Sequence, residues 1–232
     1  MPLHPADFGK DVIPVLEGDI FFLDTNVIVA VLFHIDLFHN PATLFVHYLM
    51  FRSVTLITSH TVITEAMHIL AKNFYSQDQL LLKGGRLSTH RANWNKVIKT
   101  EPEELAKYNQ IACEKLADLL KEVEVVSGDD LDFVDAMERC VSIPLGSADA
   151  FIATTACNLM QEGVTRIVSL DRDMENVPEL EVYSTEVQNA FFEADRLIEM
   201  LGQDFERFLM DAIGRERFTE KYRSGNGVQS IP

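Results

Sequence analysis

Two apolar runs in this chain each end on an aspartate. Ile20-Phe21-Phe22-Leu23 runs into Asp24, and Ile167-Val168-Ser169-Leu170 runs into Asp171. Short, continuous apolar runs read as strands buried on both faces, and strands of that kind belong to parallel sheets. In a parallel α/β sheet the ligand crevice lies at the carboxyl ends of the strands. Asp24 and Asp171 are therefore expected to converge at one edge of one sheet.

Two further acids fall between them. Glu65, in Ile63-Thr64-Glu65-Ala66, and Asp149, in Gly146-Ser147-Ala148-Asp149-Ala150, stand near the starts of helical segments, where side chains can reach the same crevice. Carboxylates forced together repel one another unless a cation neutralises them. Oxygen ligands without His or Cys suit Mg²⁺ or Mn²⁺ rather than zinc. Taken singly, each acid has an ordinary reading: a strand-end turn, a solvated helix charge, a residue favoured at a helix start. The ordered set of four points instead to a metal-dependent phosphodiesterase.

The intervening sequence supplies alternating strands and helices. Residues 20–24, 54–59, 123–126 and 165–170 read as strands, and Val182-Tyr183 as an edge strand. Helices are expected after Pro41 through Phe51, over 61–74, over 129–139 as a short amphipathic helix, and over 148–161. That alternation predicts an α/β three-layer sandwich around a central, mostly parallel sheet. The domain reading is an N-terminal extension over 1–19, a core over 20–185 with a helical insertion at about 76–121, C-terminal helices over 186–223, and a flexible tail over 224–232.

The four fragments together resemble the PIN-domain family of metal-dependent ribonucleases. The matching pieces are Leu23-Asp24-Thr25-Asn26-Val27, Thr64-Glu65, Ser147-Ala148-Asp149-Ala150-Phe151-Ile152-Ala153, and Val168-Ser169-Leu170-Asp171-Arg172-Asp173-Met174. Ser169 stands where the family has Thr, and keeps the hydroxyl. The resemblance implies a catalytic and metal-binding quartet of Asp24, Glu65, Asp149 and Asp171, with Asp173 as an outer carboxylate. A cation held there, Mg²⁺ or Mn²⁺, would polarise a scissile phosphate and activate a water. Thr25, Asn26, Ser147 and Ser169 are candidates for orienting the carboxylates through hydrogen bonds. The implied substrate is RNA, in RNA processing or as a toxin-type nuclease. A second copy of the chain or an inhibitory protein are the further partners considered. The long stretch between Glu65 and Asp149 and the C-terminal extension exceed compact members of the family.

The formal net charge is −16 over 232 residues, which argues against a protein that binds nucleic acid by bulk electrostatics. One stretch departs from it: residues 83–100 hold Lys83, Arg86, Arg91, Lys96 and Lys99, the only tryptophan, Trp94, and no acid. Basic residues beside an aromatic suit single-stranded RNA through phosphate attraction and base stacking. The alternative is a solvated helix whose Trp94 packs inward. Three widely spaced cysteines show no zinc or disulfide spacing and read as reduced thiols in a cytoplasmic protein. The acids among residues 1–19 break any signal-peptide core, and the apolar runs are too short to span a bilayer, so no membrane partner is expected.

Two rival functions are considered. A haloacid-dehalogenase-type phosphatase would use Asp24 as nucleophile, but it needs an Asp where this chain has Asn26. A non-catalytic PIN-like scaffold would bind RNA or protein without cutting, and loss of an acid would be its mark. Glu65 and His68 match a Glu-x-x-His pattern that needs a second copy, which the chain lacks, so His68 reads as a packing residue.

Overall fold

The computed structural model describes residues 6–8, 13–127, 130–159, 165–185 and 194–223. Six strands form one sheet: β1 (Ala6–Asp7), β2 (Ile20–Leu23), β3 (Thr55–Ser59), β4 (Glu124–Val126), β5 (Thr165–Val168) and β6 (Leu180–Ser184). Their order is β1-β6-β5-β2-β3-β4 and every pair is parallel. β2 lies at the centre because it is the most completely apolar strand: Phe21, Phe22 and Leu23 are all buried. Successive side chains enter opposite helical layers, so both faces must be covered.

The chain builds outward from β2 in two directions, to β3 and β4 on one side and to β5 and β6 on the other. The reversal between β2 and β5 is a topological switch point, and ligands of open α/β sheets bind at such a point, outside the carboxyl ends of the strands. Phe22 pairs with Ile167 and Leu23 with Val168, which puts Asp24 and Ser169 at the same level of that edge.

Helices α1 (Thr25–Leu32), α2 (His39–Phe51), α3 (His60–Lys83), α6 (Asp130–Ser142) and α7 (Ser147–Leu159) connect the strands. Helices α8 (Ala194–Leu201), α9 (Gln203–Ile213) and α10 (Arg215–Phe218) come after the sheet. Phe205 and Phe208 of α9 pack on Phe51 of α2, with ring centroids 5.6 and 5.5 Å away. Those C-terminal helices therefore complete one layer of the sandwich. The N-terminal stretch also joins the core. Ala6 and Asp7 pair with Tyr183 and Ser184, and Phe8 stacks on Phe45 at 4.7 Å.

The insertion is helical and packed. α3 continues beyond the expected 61–74 to Lys83, because Ser76 is buried and Tyr75 packs on the rings of Trp94 and Tyr108. Gly84 and Gly85, at φ 65° and 96°, end it with a turn that residues bearing a Cβ resist. α4 (Leu87–Thr100) and α5 (Pro102–Leu119) then pack back on α3. No helix among the described residues is long and apolar enough to cross a membrane. The expected tail 224–232, residues 186–193, and the expected helix ends at 129 and 160–161 lie outside the described residues.

Candidate active site

Asp24 stands at the carboxyl end of β2 and caps α1. Its Oδ1 accepts from the Thr25 amide at 2.6 Å, and its Oδ2 accepts from Ser169 Oγ at 2.6 Å and from Asn26 Nδ2 at 2.9 Å. The side chain is 2% exposed. Burial is the largest influence on its titration and pushes the carboxyl up to about 6, against the pull of the Ser169 and Thr25 hydrogen bonds. Asp149 and Glu65 push in the same direction through their charges.

Glu65 lies in the second turn of α3, half-buried, and its Oε2 accepts from Thr25 Oγ1 at 2.8 Å. Thr25 thus ties the first two acids together, its amide to Asp24 and its hydroxyl to Glu65. Ser59 begins α3 at the end of β3, its Oγ accepting from the Val62 amide at 3.3 Å.

Asp149 is in the first turn of α7. Its carboxyl is raised by partial burial first, then by the charges of Asp171, Glu65 and Asp173. Its Oδ2 folds back over Gly146, where a Cβ would come within 2.6 Å of it. Gly146 is therefore part of the site, a role that reading the motif by its acids missed. The signal was the glycine immediately before Ser147.

Asp171 caps a 3-10 turn at Arg172–Asn176, its Oδ1 accepting from the Asp173 amide at 2.9 Å. Its own amide donates to Ser169 Oγ at 3.0 Å. Asn26 closes the same junction, accepting from the Leu170 amide at 2.8 Å through Oδ1. Asp173 is exposed at the rim, and Ser147 is exposed with no hydrogen bond to the acids. Thr58, not singled out from the sequence, is buried and donates to the Leu23 carbonyl at 2.9 Å, bracing the strand that carries Asp24.

The four acids are linked electrostatically at the switch point, Asp24 to Asp149 and Glu65, and Asp149 to Glu65 and Asp171. Among the described residues, no three His, Cys, Asp or Glu groups are drawn together closely enough to hold an ion as they stand. The donor set is nonetheless oxygen throughout, with no histidine or cysteine among the groups that face Asp24. That chemistry fits a hard divalent cation.

The basic segment is elsewhere. Lys83, at the far end of α3, is eighteen residues from Glu65, which places it about 27 Å along the helix at 1.5 Å per residue. Lys83 and Arg86 are exposed, Arg91 is half-buried, and Lys96 pairs with Glu101 at 3.5 Å. Trp94 corrects the sequence expectation. It is 0% exposed, its ring among Tyr75, Tyr108 and His68, so it is not a surface for base stacking. A cleft of about 430 Å³ between α3, α4 and α5 sets Lys83, Lys96 and Lys107 beside Glu101 and Glu104. That mixed lining is weaker for phosphate than the sequence stretch suggested.

A parallel sheet with carboxylates at its switch point defines a family with acidic chemistry at that edge, and the sequence matches the PIN domain over residues 21–180. The chain belongs to the PIN domain family. PIN domains are, as a class, nucleases. Among solved structures, a chain in the crystal structure of VapBC2 from Rickettsia felis, bound to a DNA fragment from their promoter, is similar at 16% identity. The likeness covers 72% of this chain and 99% of that one, with a TM-score of 0.45. A comparison with curated proteins found no match.

Proposed function

We propose that this protein is a divalent-metal-dependent endoribonuclease that hydrolyses RNA phosphodiester bonds at the crevice between β2 and β5. The observation that carries this reading is Asp24: a carboxylate buried at a switch point and hydrogen-bonded on both oxygens, its pKa raised first by that burial and then by the charges of Asp149 and Glu65. A fold gains nothing in stability from gathering such charges without a cation. Membership of the PIN family favours this reading over the phosphatase alternative.

Asp24, Glu65, Asp149 and Asp171 would hold Mg²⁺ or Mn²⁺, with Asp173 as an outer carboxylate. When bound, the cation supplies Lewis-acid polarisation of the phosphate and a more acidic water. Thr25, Asn26 and Ser169 fix the carboxylate orientations. Partial exposure of Asp149 and Asp171 leaves the open side for the substrate strand and for water. Lys83, Arg86, Arg91 and Lys96 are proposed as distant contacts for a long substrate. RNA processing and a toxin-type role both accommodate this chemistry.

The test is cleavage of an end-labelled single-stranded RNA with Mg²⁺ or Mn²⁺, with EDTA, and with Asp24→Asn. Cleavage that requires the cation and is lost in the variant supports the reading. RNA binding with no cleavage by the intact quartet would favour the non-catalytic scaffold instead.

A further inference from the structure

Helix α6 carries its apolar stripe outward. Phe133, Val134, Met137 and Val141 are 58, 53, 58 and 90% exposed. At 3.6 residues per turn these four fall within an arc of about 100°. The packing is done by another side of the helix. There Ala136 is buried, and Arg139 reaches Thr154 of α7 at 3.2 Å and Glu179 at 3.2 Å. An amphipathic helix ordinarily turns its stripe to the core. Here residues of core type stand side by side in water over more than two turns. Contiguous apolar surface of this kind marks an interaction site.

The surroundings select the occupant. Glu138 borders the stripe, and the chain as a whole carries −16. A second copy of the same face would bring like charges together, and nucleic acid or an anionic lipid surface would be repelled. We propose that the outward face of α6 docks a basic amphipathic helix of a partner protein. Its apolar residues cover Phe133, Met137 and Val141, and a lysine or arginine meets Glu138. The surface is continuous with the segment that presents Asp149: Phe133 packs on Phe151 of α7, ring centroids 6.5 Å apart. A helix seated on α6 therefore lies near Phe151, two residues from Asp149.

The probe is a fluorescent Leu/Lys peptide of about 18 residues, long enough to hold a helix, with leucines spaced for a single stripe. A scrambled peptide of the same composition and charge is its control. The intact protein is expected to bind the striped peptide about tenfold or more tightly than the scrambled one. Met137→Ser with Val141→Ser is expected to remove that preference, and Glu138→Lys to weaken binding of both peptides. Serines at exposed positions leave the core untouched, and an unchanged melting temperature verifies that. Equal affinity for the two peptides, or a preference unchanged in the serine variant, would reduce the effect to bulk charge attraction and overturn the proposal. Dimerisation of the intact protein in sedimentation, abolished by the serine pair, would assign the face to a second copy and overturn it too.

Discussion

Ser169 Oγ donates to Asp24 Oδ2 over 2.6 Å, so the residue just after β5 holds the carboxylate just after β2. The same oxygen accepts from the Asp171 amide at 3.0 Å. One hydroxyl therefore sets the position of both strand-end acids.

Ser169→Ala removes a donor to a buried carboxylate. Leaving such an acceptor short of a partner costs on the order of 1–3 kcal/mol, and the loss should appear in urea unfolding of the metal-free protein. The bond also lowers the Asp24 pKa, so the carboxyl should titrate higher in the variant, read by carboxyl NMR. Mn²⁺ affinity by calorimetry should fall roughly tenfold.

The pH dependence of metal-free stability comes from Asp24 itself. Its folded pKa is raised from 3.8 to about 6, so between those values the native state binds more protons than the unfolded state. Stability then falls as pH rises through that window and levels off above it. The difference corresponds to roughly 3 kcal/mol at 1.36 kcal/mol per unit. Asp149, also raised, acts in the same direction. Urea midpoints in EDTA at pH 4.5 and 7 should show the decline, and Asp24→Asn should remove most of it.

Asp24→Asn keeps size and removes one charge from a crowded, buried site. Cleavage should drop by more than about a hundredfold, beyond what loss of an outer-shell partner costs. Metal-free stability at pH 7 should rise or hold. A melting temperature several degrees lower would mean that Asp24 serves the fold rather than the chemistry.

Gly146→Ala separates stability from placement. The added Cβ meets only the end of a flexible side chain, Asp149 Oδ2, so the melting temperature should stay within a degree or two. The carboxylate must swing away, and cleavage and Mn²⁺ affinity should both fall. Unchanged affinity and rate would take Asp149 out of the metal-binding set.

The insertion yields two opposite expectations. Trp94→Ala should destabilise by about 3–5 kcal/mol, as for other fully buried aromatics. Replacing Arg86, Arg91 and Lys96 together by Ala should cost little stability, yet weaken binding of a long RNA and flatten its salt dependence. A short oligonucleotide held by the crevice should be cleaved as before. Equal salt slopes for the triple variant and the natural chain would remove these residues from the RNA path.

The strands that carry Asp24 and Asp171, and the helices that carry Glu65 and Asp149, were legible because each is a local pattern. An apolar run ends on an acid, or an apolar period begins beside one. Order along the chain was enough to place all four at one sheet edge, since parallel strands leave few topologies. Trp94 stayed ambiguous for the same reason. Local composition allowed either a basic, aromatic surface or an inward-packed tryptophan, and packing against Tyr75 and Tyr108 took it inside.

By itself the sequence determined the class of fold, the element on which each of the four acids stands and the periodicity of each helix, all of which depend on neighbours within a few residues. The tertiary structure decided which faces meet. It set a hydroxyl against a carboxylate 145 residues away, laid Asp149 over Gly146, and turned the stripe of α6 to solvent. Periodicity shows that a helix has two faces; only the competition among all elements for a finite core settles which of them is buried.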